Sequence, residues 1–182
     1  MAKIYGVQMK AIKQWEARDG IGTSANIYID NKKVGTFYDA GDGGCVDIDI
    51  DTAEARQKLE ERTKKYFENF PFDKTGLEEK GFTGDFNERY SFLTNSEAFL
   101  EEVYNLQNNE NFFKKNIKKG FKMLVVFDYP FFAKGPHPYL PATMYGGKDP
   151  LATITKVVKE KKKQFPYLKT KTYGALEDFI IE

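Results

Sequence analysis

With 182 residues, 41% of them hydrophobic and sixteen Phe and eleven Tyr among them, the chain can bury roughly 70% of its unfolded surface, which excludes a disordered tail and makes disulfide or metal staples unnecessary. Its one cysteine, Cys45, cannot form an internal disulfide, and a reducing compartment, the cytoplasm, is expected. The formal net charge of +1 joins opposed halves: residues 1–110 carry 14 basic and 21 acidic groups, whereas residues 111–182 carry 14 lysines, no arginine and six acids, a division that marks either two partners or two halves that attract each other.

The segment from Met1 to Lys13 carries Lys3, Lys10 and Lys13 with no apolar run between them, unlike a signal peptide, and no stretch reaches the ~20 apolar residues of a membrane span. Strands are predicted at Lys3 to Lys13, Thr23 to Asp30, Val34 to Asp39 and Cys45 to Ile50, separated by Gly, Asn and Asp. Ala25, Ile27 and Ile29 alternate with Asn26, Tyr28 and Asp30, the period-two pattern of a half-buried sheet, and Asn31-Lys32-Lys33 supplies a tight turn. Val46, Ile48 and Ile50 repeat the alternation against Asp47, Asp49 and Asp51, which puts a row of carboxylates in solvent.

A helix is expected from Asp51 to Phe70, opened by Asp51-x-x-Glu54, packed through Ala55, Leu59, Tyr66, Phe67 and Phe70, and ended by Pro71. Residues 71–93 read as a long ordered loop with a short strand at Arg89 to Leu93. Thr94-x-x-Glu97 opens a second helix with Phe99, Val103 and Leu106 inward; Asn108-Asn109 breaks it, and a short third helix ends at Gly120. The apolar run Met123 to Phe127 predicts a central strand covered on both faces. Four prolines and three glycines predict a surface loop over most of 129–147. Asp149-Pro150 starts a helix to about Gln164, with Leu151, Ile154, Val157 and Val158 inward and lysines outward. A strand at Lys169 to Tyr173 and a closing segment at Ala175 to Ile181 complete the chain. The expected fold class is α+β: an N-terminal antiparallel meander packed by about four helices, with a further central strand and a C-terminal strand, in a single domain over residues 1–182.

The sequence lacks the material of a familiar catalytic centre. Cys45 and His137 are the sole members of their types; His137 between two prolines reads as a loop residue and Cys45 as a small strand residue. No Gly-x-Ser-x-Gly elbow is present, and one Cys with one His leaves a zinc site short of ligands. Gly41, Gly43 and Gly44 lack the Gly-Lys-Ser/Thr of a phosphate loop. Asp39, Asp42, Asp47, Asp49 and Asp51 form the strongest constellation. Clustered carboxylates can hold Mg²⁺ or Ca²⁺, but carboxylates two apart on one strand point the same way without converging on an ion. A solvated strand face, or a surface that imitates a row of phosphates for a basic partner, stands beside the metal reading. Lysines at 114, 115, 118 and 119 and at 159, 161, 162 and 163 could meet phosphates, with Tyr139 or Tyr145 to stack bases. A solvated helix face explains either cluster alone, and Lys114, Lys115, Lys118 and Lys119 also complement a helix C-terminus.

The opening Ala2-Lys3-Ile4-Tyr5-Gly6-Val7, the hairpin Ala25 to Gly35, the Asp39 to Gly44 turn and the closing Leu176-Glu177-Asp178-Phe179 together resemble small accessory proteins of Gram-positive phages and conjugative elements, among them anti-CRISPR inhibitors of the type II RNA-guided effector nuclease. The resemblance covers about a third of the chain and brings no binding residues with it. It implies a stoichiometric, non-catalytic binder in the bacterial cytoplasm, with no cofactor, whose partner is that nuclease, carrying its guide RNA. Such nucleases present basic channels that hold nucleic acid through its backbone. On that reading Asp39, Asp42, Asp47 and Asp49, with Glu60 and Glu61, compete with DNA phosphates. The lysine-rich half contacts guide RNA or supports self-association. The alternative is a nucleic-acid-binding accessory protein of a mobile element that uses Lys114, Lys115, Lys118, Lys119, Lys159, Lys161, Lys162 and Lys163.

Overall fold

The structure is a computed structural model that describes residues 1–73, 91–130, 133, 138 and 140–182. In chain order its elements are β1 (Lys3–Ile4), β2 (Val7–Glu16), β3 (Ile21–Ile29), β4 (Lys32–Asp39), β5 (Asp47–Ile50), α1 (Ala53–Asn69), α2 (Ser96–Ile117), β6 (Phe121–Asp128), β7 (Thr143–Gly146), α3 (Pro150–Gln164), β8 (Lys169–Tyr173) and β9 (Ile180–Ile181), with short 3-10 turns at Ser91–Thr94 and Leu176–Phe179. The chain divides into two compact units, one of residues 1–72, 86–107 and 180–182 and one of residues 73–85 and 108–179. The charge asymmetry follows this division, with a net of −5 on the first unit and +6 on the second.

The first unit is built on a six-stranded sheet in the order β5-β4-β3-β2-β1-β9. Two-residue turns with positive φ, Tyr5-Gly6 and Asp30-Asn31, join β1 to β2 and β3 to β4, the geometry that matches the right-handed twist of a hairpin. Lys32 and Lys33 therefore lie in β4 rather than in the turn. The pleat separates two faces. One carries Val7, Met9, Ala25, Ile27, Ile29 and Phe37, all buried, and the buried Leu59 and Tyr66 of α1 and Phe99, Leu100 and Val103 of α2 complete this core. Each such Leu, Ile or Phe contributes about 1.5–3 kcal/mol. The Tyr66 and Phe99 rings meet at 5.4 Å, and the Tyr104 hydroxyl of α2 accepts from Gln14 Nε2 at 2.5 Å and lies 3.4 Å from Thr23 Oγ1.

The second unit holds a three-stranded antiparallel sheet, β7-β6-β8. The apolar run expected to form a central strand lies in β6, where consecutive Leu124 and Val125 are both buried. Phe179 stacks flat on Tyr173 at 4.4 Å and tilts against Phe113 at 5.5 Å. Helix α3 begins as its sequence predicts: Asp149 accepts a hydrogen bond from the Ala152 N–H, and Pro150 occupies the first turn.

The fold is α+β but strand-rich, and the expected meander packed by about four helices is not the architecture: β1 to β5 do run as an antiparallel meander, but it is part of a mixed sheet and the helices are fewer. Among the described residues there are three α-helices and nine strands. The predicted second and third helices are one, α2, because Asn108-Asn109 does not break it: Gln107 and Glu110 on either side are buried, and packing outweighs the weak helix propensity of Asn. The first sheet is mixed, since β9 joins β1 in parallel, with Lys3 opposite Ile180 and Ile4 opposite Ile181. Within the predicted 129–147 loop, Thr143–Gly146 forms β7 by pairing with β6. The caps also shift by one residue. Thr52 Oγ1, not Asp51, accepts from the Ala55 N–H at 3.2 Å, and Asn95 Oδ1, not Thr94, accepts from the Ala98 N–H at 3.0 Å. Of the strand expected at Arg89 to Leu93, Arg89 and Tyr90 lie outside the described residues, and Ser91 begins a 3-10 turn. Tyr139 and His137 also lie outside the described residues.

Candidate functional site

The second face of the first sheet is exposed along β4 and β5, and register defines what it displays there. Tyr38 on β4 lies directly across from Asp47 on β5 and Ser24 on β3, and Thr36 lies across from Asp49 and Asn26; paired residues share a face. Asp47 and Asp49 are exposed on an edge strand whose Ile48 and Ile50 point the other way, as the alternation in the sequence predicts. Neither carboxylate forms an ion pair among the described residues. Beside them stands an aromatic platform. Trp15 stacks on Tyr38 with centroids 5.5 Å apart and 29° between the planes, and Tyr38 keeps 46% of its surface exposed. Trp15 lies flat because its cross-strand partner is Gly22, where a Cβ would come within 2.2 Å of the indole. Lys10 sits 4.3 Å from the centre of the Tyr28 ring on the same sheet, a cation–π contact.

The acidic residues singled out in the sequence do not form one row. Asp39 follows Tyr38 and so projects from the opposite, helix-covered face. There it joins Glu97, Glu101 and Glu102 of α2, and desolvation together with these like charges raises the Glu101 carboxyl above its ordinary range. Asp39 Oδ1 accepts from the Gly41 N–H at 2.8 Å and Asp42 Oδ1 from the Gly44 N–H at 2.9 Å, so both shape the turn before β5. Glu60 and Glu61 are exposed on α1; Glu61 accepts from Gln57 Nε2 at 3.1 Å along its own helix, on a surface that also carries the Lys58–Glu54 pair at 2.8 Å. The sequence offered no signal for the meeting of Asp39 with α2, which depends on a tertiary approach of elements far apart in the chain.

The lysines divide as well. Lys114 pairs at 2.8 Å with Glu110, whose side chain is 0% exposed, so it neutralises a buried carboxylate. Lys115, Lys118 and Lys119 are exposed near the end of α2. Lys161 lies 5.6 Å from the centre of the Phe127 ring. Lys159, Lys162 and Lys163 instead rim a groove with Leu151, Ile154, Val158, Thr170 and Thr172. Tyr145 is half-buried in β7, and desolvation raises its hydroxyl pKa. Cys45 is exposed and precedes β5 rather than belonging to it. Among the described residues, no three His, Cys, Asp or Glu side chains gather closely enough to hold a metal ion, and no helix is long and apolar enough to cross a membrane.

No family model, curated protein or solved structure matches the chain.

Proposed function

We propose that the chain is a non-catalytic binding protein that engages a basic protein surface through the face of its first sheet exposed along β4 and β5, and that the partner is the type II RNA-guided effector nuclease, whose DNA binding or cleavage it blocks. One observation carries the reading: two exposed carboxylates with no ion pair among the described residues, Asp47 across from Tyr38 and Asp49 across from Thr36, lie beside an exposed Tyr38 that stacks on Trp15. Arginine pairs with carboxylates through its planar fork and stacks on aromatic faces, and Tyr and Trp are frequent anchors of interfaces. An arginine-bearing surface that ordinarily meets DNA phosphates fits both features. The choice of nuclease rests on the resemblance of the turn and terminal segments to anti-CRISPR inhibitors.

The test is a plasmid-cleavage assay in which nuclease and guide are titrated with this protein, with a native gel alongside. Dose-dependent protection with a new complex is expected. Asp47→Asn with Asp49→Asn should weaken inhibition at least tenfold, a loss of about 1.4 kcal/mol or more, while far-UV circular dichroism stays unchanged. Undiminished inhibition by the folded double variant would remove the acidic face from the interface. Absence of both protection and complex across several orthologous nucleases would remove the nuclease as partner.

A further inference from the structure

The second unit carries a groove that the reading above leaves unused. It measures about 620 Å³ and lies between α3 and the face of β8 that bears Thr170 and Thr172. Its floor is apolar, with Leu151, Ile154 and Val158, and Leu151 stays 58% exposed on a helix whose inner stripe should be covered. Its rim is cationic: Lys159, Lys162 and Lys163 make no ion pair among the described residues. Sheet topology explains why the groove exists. Helix α3 contacts β6 and β7, while β8 is an outer strand of the sheet, so a strip of sheet beside the helix has no covering element among the described residues.

We propose that this groove binds an extended peptide segment of alternating apolar and acidic residues, supplied by a partner protein and seated alongside β8. Period-two alternation places apolar side chains on Leu151 and Val158 and leaves neighbouring carboxylates within reach of the lysine rim. A nucleic-acid strand fits less well. The floor offers aliphatic side chains where bases need aromatic faces, and the rim has no arginine for forked phosphate contacts.

The probe is a fluorescein-labelled eight-residue peptide of alternating Asp and Val, titrated into the full chain and followed by fluorescence anisotropy, with labelled oligo-dT and an alternating Lys-Val peptide in parallel. Saturable binding of the acidic peptide is expected, weakening as salt rises, with no binding of the basic one and with slowed amide exchange at Lys169–Tyr173. Lys159→Glu, Lys162→Glu and Lys163→Glu together should reduce affinity at least about tenfold. These side chains are exposed or on the rim, and retained circular dichroism shows that the variant folds; Leu151→Ser gives a second, charge-independent block. Equal affinity in the lysine variant, absence of acidic-peptide binding, or tighter binding of oligo-dT than of the peptide each overturns the proposal, the last in favour of a nucleic-acid surface. The nuclease assay depends on Asp47 and Asp49 in the other unit, so the two readings fail separately.

Discussion

At the scale of single residues, the acidic surface has two kinds of carboxylate with different energetic consequences. Asp47 and Asp49 are exposed on an edge strand. Glu101 is held against Asp39, Glu97 and Glu102, and its carboxyl pKa is raised, first by desolvation and then by these charges. A raised folded-state pKa means that the folded chain disfavours the ionised form. The penalty is absent below the unfolded-state pKa, grows as pH rises through the window between the two values, and is complete above the folded-state pKa. Glu101→Gln should therefore raise the melting temperature at pH 7, with a gain on the order of 0.5 kcal/mol after solvent screening, and the gain should vanish near pH 4 and below. Thermal melts of both proteins between pH 4 and pH 8 check this. A pH-independent gain would place its origin in packing rather than charge.

At the scale of elements, local pattern was legible and long-range pairing was not. Ala25, Ile27 and Ile29 and then Val46, Ile48 and Ile50 announce β3 and β5 through alternation, and Asp149-Pro150 announces α3; these signals lie within a few residues of the element they define. Strand β9 consists of Ile180 and Ile181 alone and becomes a strand because β1 offers it an edge. Strand β7 sits in a segment dense in Pro and Gly and exists through its register with β6. The capping box at Thr94 was plausible in sequence, but Asn95 one residue later is the better acceptor and takes the role in the structure. Asn95→Ala should cost about 1 kcal/mol, the usual effect of removing a cap, and shift the urea midpoint downward. Thr94→Ala, which loses only a 3.5 Å bond to the Ser91 carbonyl, should leave the midpoint near its original value. The reverse order would restore the sequence assignment. The candidate site divides in the same way: Asp47 and Asp49 were readable from alternation, whereas the cross-strand position of Tyr38, the support of Trp15 by Gly22 and the groove beside α3 all require register or topology.

At the scale of the whole molecule, the last three residues return to the first unit after more than seventy residues in the second. Strand β9 covers the edge of β1: the Tyr5 N–H donates to the Ile181 carbonyl at 2.7 Å, Lys3 pairs with Glu182, and Ile4 beneath them is buried. A chain ending at Phe179 keeps the ring that packs on Tyr173 and loses only this seal. Net values near 1 kcal/mol per backbone hydrogen bond, with newly exposed apolar surface at Ile4, predict a loss of about 2–3 kcal/mol confined to the first unit. Trp15, the sole tryptophan, lies in that unit and reports its unfolding by fluorescence, while amide exchange at Leu124 and Val125 reports the second sheet. The expected result is a lower fluorescence midpoint with β6 protection unchanged, which would make the two units separate cooperative blocks. A fall in both signals together would make the chain one cooperative domain despite its two compact units, and an unmoved fluorescence midpoint would deny β9 any part in holding the first sheet.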